Sequence, residues 1–395
     1  MAMQSKRANE IDAYIKDKPS CARGKQKVEI KGKIEPLESY MLPLSYLQYN
    51  RENRRFNLEI QEYETNVGRK LDSTNKEDVE KIKELLLQDE NEATKLYDDL
   101  KLLGEQREVA AVTHDGVVVN GNRRMATIEL LHKENPKKWD ELWVVRLPKD
   151  ISDKDLWKIE AGLQLSKEKV ADYGPVNNLL MIREGKRAGL STSEIAASMY
   201  GWSEKQVATD LERLDLIDTF LNFMGGSNKN NYGLIKRFQL SEHFIDIQKG
   251  LVEKLKSVAS RRELTKKLET VFLFLKAHIE SPNIMKITHW DVRAMCKILL
   301  DEQTSYTLTE SFDKYKNNLK KIPVEMLVEN FDRATDIKKD REYANKPVKL
   351  IDRAIAALNS IDRKGRYYKK ENVKKKVKEL DTLIKTIKRE LGIIN

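Results

Sequence analysis

Four consecutive residues, Gly121-Asn122-Arg123-Arg124, carry the side chains with the clearest chemical consequence. They follow a β-branched run and precede Met125, Ile128 and Leu131 at helical spacing. A glycine turn feeding a helix start leaves backbone N–H groups unpaired and adds the positive end of the helix dipole. Two guanidinium forks converging there would suit an anion, phosphate above all. The competing expectation is arginines that are solvated or held by neighbouring carboxylates. A second chemistry lies at 189–216. Ser191 caps a helix over 192–200, Gly201 allows a tight turn, and a second helix starts near Ser203 and runs through Leu214. Ala197, Gly201 and Val207 have helix-turn-helix spacing: a small residue at the crossing, a glycine in the turn, a branched core residue. The start of the second helix would meet base edges, which singles out Ser203, Lys205, Gln206 and Thr209. Glutamine suits adenine; lysine suits guanine or phosphate. A generic helical hairpin is the alternative.

The elements that must position these residues follow from local pattern. Runs 108–113 and 117–120 flank Asp115-Gly116, a hairpin signal because the turn needs positive φ. With a further strand at 142–147, the local order is strand, glycine turn, helix, strand. Apolar stripes through Val79, Ile82, Leu86, Leu96 and Leu100 predict a helix over 76–103. Ser152 caps another helix, with Asp153 and Asp155 in its first turn.

The run 115–131, DGVVVNGNRRMATIELL, resembles the second signature box of the ParB/sulfiredoxin superfamily. Gly121, Arg123, Arg124 and Ala126 match; Asn122 stands where ParB has glutamate and sulfiredoxin its cysteine. A sulfiredoxin-type thiol mechanism is thereby excluded. Residues 40–56 resemble the first box, an apolar run leading into an Asn/Arg cluster, with Arg54 or Arg55 as the matching arginine and the box's proline missing. Residues 160–166 resemble the third box through Glu160 and Gln164, with one extra residue between them and its asparagine and arginine absent. The helix-turn-helix follows in the same order, so the resemblance spans roughly 42–223. It implies an α+β domain that binds a nucleotide, CTP or ATP, with Mg2+. Gly121, Asn122, Arg123 and Arg124 would hold the phosphates, assisted by Arg54, Arg55 and Gln164. Glu160 is the one candidate for metal binding or catalysis. A hard cation usually takes one or two carboxylates, so the replaced residues weaken the case for hydrolysis.

The 395 residues are 40% hydrophobic and 34% charged, which fits several soluble, helix-rich domains. No apolar run approaches a membrane span and no signal-peptide core opens the chain. Two distant cysteines and five scattered histidines offer neither a disulfide framework nor a zinc site. The expected setting is cytoplasmic, on the nucleoid if DNA is bound. Of the net charge of +10, a surplus of nine falls after residue 330, with 19 basic against 10 acidic residues. Such a tail suits nucleic acid, or is a solvated helix face. Residues 151–224 carry nine basic and twelve acidic side chains, an unusual balance for a DNA reader, so a protein partner for the helix-turn-helix stays open. Val373, Val377, Leu380, Ile384, Ile387 and Leu391 alternate in steps of four and three, a coiled-coil seam that closes a hairpin or pairs two chains. The resemblance favours a homodimer.

The expected organisation is a polar extension over 1–35, a ParB/sulfiredoxin-like α+β domain over 36–150, and an all-α helix-turn-helix domain over 151–224. A polar flexible linker over 225–232, a helical domain over 233–330 and a basic coiled-coil-like segment over 331–395 complete it. Phe272 and Trp290 are expected in the core. The leading functional expectation is a nucleotide-gated DNA-binding protein of a plasmid, phage or other mobile element, acting in partition, regulation or defence. The alternatives are a ParB-fold enzyme, either a DNase or an NTP-dependent phosphoryl-transfer enzyme, and a non-catalytic adaptor with a degenerate pocket.

Overall fold

A computed structural model describes residues 2–30, 32–51, 57–164, 174–315, 318–365 and 368–393. An N-terminal α/β unit contains a mixed six-stranded sheet, and the remainder is mostly helical. The unit opens with α1 (Ala2–Asp17) and a long hairpin, β1 (Ala22–Ile30) and β2 (Lys33–Pro43). After β3 (Gln48–Tyr49) come α2 (Asn57–Val67), α3 (Lys76–Leu87) and α4 (Glu90–Leu103). Then β4 (Ala110–Val112), β5 (Val117–Asn120), α5 (Asn122–Glu134) and β6 (Glu141–Arg146) complete it. The strand order is β1-β2-β6-β4-β5-β3, with β4/β6 and β3/β5 parallel and the other pairs antiparallel.

Side-chain alternation along the strands builds two cores. Ala110, Val112, Val118 and Val144 face one layer, with Ile11, Ile82, Leu100 and Ile128 of the helices. Their neighbours Ala111, Val119 and Val145 face the other, with Ile30 and Ile159. This is the period of two expected of strands buried on both sides.

The residues read as a polar extension are thus part of the fold. Ile11 is fully buried, and Arg146 ties Asp12 and the Ala8 carbonyl of α1 to the sheet. β1 is a sheet edge, as the alternation of charged and apolar residues over 27–31 allows, and it starts earlier, at Ala22, where its exposed, charged residues deter edge pairing. The helix expected over 76–103 is two helices, because the Asp89 side chain caps the N–H of Glu92 and starts α4 afresh.

Next come α6 (Asp153–Gln164), α7 (Pro175–Arg187), α8 (Thr192–Ser198) and α9 (Glu204–Met224). Trp157, Met181, Ile182, Ile195 and Val207 form their shared core. The small residue at the helix crossing is Ala196; Ala197 faces solvent. Gly185 completes the close packing, since a Cβ there would sit 2.9 Å from the Trp157 ring. Helix α9 runs well past Leu214. Its second half, with Ile217, Phe220 and Leu221, belongs to the core of the C-terminal helices. Those are α10 (Gly233–Arg237), α11 (Ser241–Ile247), α12 (Glu253–Leu255), α13 (Arg261–Glu280), α14 (His289–Leu299), α15 (Glu302–Thr309), α16 (Val324–Asn359) and α17 (Glu371–Glu390).

The segment expected as a flexible linker is largely open at 225–230 but packed at its end, where Asn231 and Tyr232 are buried. Tyr232 is 3% exposed, and its hydroxyl accepts from Arg183 and donates to Asp218, joining α7 to α9. Burial and that carboxylate push the phenol up to about 12. The boundary expected at 331 falls inside α16, one uninterrupted helix despite Pro347. Phe272 is in the core as expected, but Trp290 is 65% exposed, with the Arg293 guanidinium 4.5 Å from its ring centre.

Helix α2 joins the two halves. Leu58 is buried in the C-terminal core and Ile60 in the sheet core, on opposite faces of the same helix. Truncating Leu58 removes buried contacts and leaves a cavity, so Leu58→Ala should lower unfolding stability by about 2–5 kcal/mol. Denaturant unfolding followed by far-UV dichroism should show a lower midpoint; an unchanged midpoint would mean that Leu58 contributes no buried packing.

Candidate functional site

The turn before α5 is built as a glycine site. Gly121 has φ +105°, and a Cβ there would lie 2.7 Å from that of Ala110. Neither the left-handed backbone nor the approach to β4 tolerates a side chain. Asn122 follows with 1% exposure. Its Nδ2 donates to the Val118 carbonyl at 2.7 Å, and its Oδ1 accepts from the Asn50 backbone N–H at 3.0 Å. Asn122 therefore pins the loop after β3 against the turn instead of facing a ligand. It also brings the start of the Asn/Arg cluster of the first box beside the second.

The two arginines do not converge. Consecutive residues on a helix point about 100° apart. Arg124 donates to the Glu108 carbonyl at 2.8 Å and to its carboxylate at 2.7 Å, and its side chain is 13% exposed. Burial pushes its guanidinium down from the usual range, and Glu108 opposes that shift. This is the carboxylate-held arrangement. Arg123 donates from Nε to the Leu86 carbonyl and lines a cavity of about 850 Å3 with Glu59, Glu62, Lys236 and Arg237.

A second cleft, of about 700 Å3, lies against the opposite face of α2. It collects Asn50 and Arg51 from the first box and Glu160 from the third. Glu64 of α2, Lys70, the sheet residues Val117 and Val119, and Glu184 and Arg187 of α7 complete the wall. Glu160 is 2% exposed, so it is not an ordinary surface glutamate. It shares a face of α6 with Asp153 and Leu156, as the 3–4 residue spacing requires. Glu64 accepts from Arg51 Nε at 3.0 Å and from the Leu71 N–H at 2.8 Å, holding the loops on both sides of α2. Lys70 and Arg187 have no ion-pair partner among the described residues and stand exposed at the rim. Sequence reading missed Lys70 and Arg187. Arg187 sits in the last turn of α7, where a cation reads simply as a helix-dipole partner. Arg54, Arg55 and the side chain of Gln164 lie outside the described residues. Among the described residues no group of three or more His, Cys, Asp or Glu side chains is placed to hold a metal ion.

The first turn of α9 presents Ser203, Glu204, Lys205 and Gln206 to solvent. Ser203 is committed as the cap, accepting from the Gln206 N–H. Thr209 is half-buried, and its carbonyl accepts from Gln248. Of the four residues expected to read bases, Lys205 and Gln206 are the exposed ones whose side chains do not hold the local backbone. The acids around them are engaged. Glu204 accepts from Thr192 at 2.6 Å, and Glu212 pairs with Lys256 at 2.7 Å. Glu194 closes a capping box, and its hydrogen bonds from Ser191 hold its carboxyl down at about 2. Asp210 is 2% exposed and pairs with Arg213 at 2.7 Å; burial still raises its pKa.

Comparison with protein-family models finds no match, and no curated protein matches the chain.

The rim of the cleft depends on the loop over 69–75, which is tied to the first turn of α3. Arg69 grips Asp78 with two 2.7 Å hydrogen bonds, and Asp78 also accepts from the Asp72 N–H. The Arg69 hydrogen bonds hold the Asp78 carboxyl at about 2, below its usual 3.8. A depressed carboxyl pKa stabilises the fold above 3.8 and loses that contribution as pH falls towards about 2. Asp78→Asn should therefore lower the melting temperature at neutral pH and flatten its fall over that acid window. An identical pH profile for variant and wild type would exclude the pair as a contributor.

Proposed function

We propose that the protein binds DNA through α8 and α9, and that a phosphate-bearing ligand, a nucleotide, enters the cleft beside α2 and sets the position of that reading unit. The observation that carries the reading is the division of α9. Its first turn is exposed with Lys205 and Gln206 outward, while its far half is locked in a hydrophobic core. A rigidly held helix with a solvent-facing N-terminal turn is what major-groove reading requires. The pairing of Glu212 with Lys256, a cation from outside 151–224, offsets part of the acidity that counted against such a role.

The cleft supports the ligand half of the reading. Glu160 on α6 and Arg187 on α7 line it, and those two helices also supply Trp157, Met181 and Ile182 to the core under α8 and α9. A ligand touching both helices would bias the reading unit through packed side chains. Among the described residues, five carboxylates, Glu64, Asp115, Asp153, Glu160 and Glu184, outnumber the cations Arg51, Lys70 and Arg187 on the cleft wall. A polyphosphate would therefore enter with Mg2+, phosphates outermost towards Lys70 and Arg187. Magnesium bound through one or two carboxylates and substrate phosphates needs no all-protein cage. The same scarcity of cations on the first turn of α9, where Lys205 is the basic side chain, favours a second reading in which α8 and α9 dock a protein.

Calorimetry with CTP, ATP and GTP plus Mg2+, with and without DNA, tests both halves. One nucleotide should bind at micromolar concentration, and Lys70→Ala/Arg187→Ala should weaken it at least ~10-fold, about 1.4 kcal/mol. Lys205→Ala/Gln206→Ala should weaken DNA binding by roughly 5- to 100-fold, the range for losing one good base contact, while leaving nucleotide affinity intact. Binding of no nucleotide would remove the ligand half. DNA binding that is absent, or insensitive to salt, would favour the protein-docking reading, since phosphate contacts make affinity fall steeply with salt.

A further inference from the structure

Alternation along the strands sets one face of the sheet towards α6. Val28 and Ile30 of β1 turn to the layer that holds Ala111, Val119, Val145 and Ile159, and Lys27 and Glu29 turn away from it. The cover is uneven. Ala111, Val145 and Ile159 are buried, whereas Val28 and Val109 are only partly so. These five side chains floor a cavity of about 620 Å3, bounded by Lys158 and Gly162 of α6 and by Glu194, Ala197 and Ser198 of α8. Two of the helix residues are small where they meet this space. Gly162 lies within α6 without a left-handed backbone, and nothing stands within 4 Å of where its Cβ would be. Neither a turn nor a close approach requires glycine there, although glycine weakens a helix. Ala197, exposed on α8, borders the same space.

Charge decides what fits. Among the described residues, Lys158 and Glu194 are the charged side chains that α6 and α8 bring to the cavity. Both oxygens of Glu194 are engaged. Oε2 accepts from the Ser191 N–H at 2.8 Å and from its hydroxyl at 3.0 Å, and Oε1 meets Lys158 Nζ at 3.4 Å. That last distance exceeds the ~2.7–2.9 Å of a tight charge-assisted hydrogen bond. The capping box holds Glu194 with or without the lysine, so Lys158 is the cation that can turn to a ligand.

We propose that this cavity is a binding site for a small amphipathic carboxylate, its apolar body over Val28, Val109, Ala111 and Val145 and its carboxylate on the Lys158 ammonium. The volume lies within the roughly 300–1,000 Å3 of small-molecule sites, and an apolar floor with a few polar groups at the rim is their usual lining. A phosphate monoester fits less well, because one lysine beside a glutamate does not balance two negative charges. An amine would find Glu194 already supplied with donors. The site is separate from the nucleotide cleft and does not rest on the DNA reading. That an occupant would be felt at the reading unit, because α8 bounds the cavity, does rest on it.

Calorimetry of the full chain with naphthoate and octanoate, a rigid and a flexible member of the class, tests the site. At least one should bind with a dissociation constant of about 1 mM or tighter. Its uncharged counterpart, naphthalenemethanol or octanol, should bind ~10-fold or more weakly, and Lys158→Met should remove that difference. Gly162→Leu/Ala197→Leu fills the cavity and should weaken the bound acid at least ~10-fold. Far-UV dichroism of this variant should match wild type; should filling disturb the fold, Lys158→Met with the acid and alcohol pair still decides. Failure of both acids to bind overturns the proposal. So does an alcohol that binds as tightly as its acid, or acid binding that persists unchanged in a folded, filled variant. Nucleotide binding lost through Lys70→Ala/Arg187→Ala is read separately, so either site can fail alone.

Discussion

Helix α2 is gripped from both sides, and the arrangement of the two halves depends on that grip. Leu58 enters the C-terminal core while Ile60 enters the sheet core. Between these anchors, Glu59 meets Lys236 and Glu62 meets Arg237, both on α10. The Glu62 carboxylate lies directly over Gly233, where a Cβ would be 2.6 Å from its oxygen. Exposed ion pairs of this kind contribute little by themselves. The apolar anchors supply most of the stabilisation, and the charges fix the register of α2 on α10. A helix held by two cores cannot move relative to one without disturbing the other, because close-packed interiors resist continuous deformation.

Two cavities exist because of that helix. The faces of α2 carrying Gln61 and Glu64 and carrying Glu59 and Glu62 look into different spaces. Arg123 belongs to the second and Glu160 to the first. The boxes that are collinear in sequence are therefore brought to one neighbourhood but divided between two cavities. Asn122 keeps them adjacent through one buried amide, which spans the Val118 carbonyl and the Asn50 N–H. An isosteric change that removes either hydrogen bond would leave a buried polar group unpaired, which costs more than the bond contributes.

What was legible in the sequence was local. The hairpin at Asp115-Gly116, the glycine turn at 121, the cap at Ser191 and the helix start near Ser203 are all decided within a few residues, and each stands where local chemistry puts it. What was not legible depends on distant partners. The run 225–232 has a linker's composition, yet Tyr232 finds Arg183 and Asp218. The N-terminal residues look polar because a sheet edge and a surface helix need few apolar positions, and among the described ones only Ile11, Cys21 and Ile30 are buried. The divergence of Arg123 and Arg124 was within reach, since neighbours on a helix cannot share a direction. The partner that holds Arg124, Glu108, was not. Trp290 carries no local sign that it lies on the outside.

The same reasoning assigns different constraints to the two ends of α9. Its first turn is fixed by Ser203 and exposes Lys205 and Gln206, of which Gln206 also donates from Nε2 to the buried Asp210 at 3.5 Å. Its second half packs Phe220 against both Phe244 and Phe272. Between them, Arg213 joins Asp210 to Gln248, and Gln248 reaches back to the Thr209 carbonyl. That polar link, mostly buried, forms where the helix passes from one core to the next, so it sets the rotation of the exposed turn relative to the C-terminal body. Helix α9 therefore ties the orientation of its outward-facing turn to the packing of the C-terminal core.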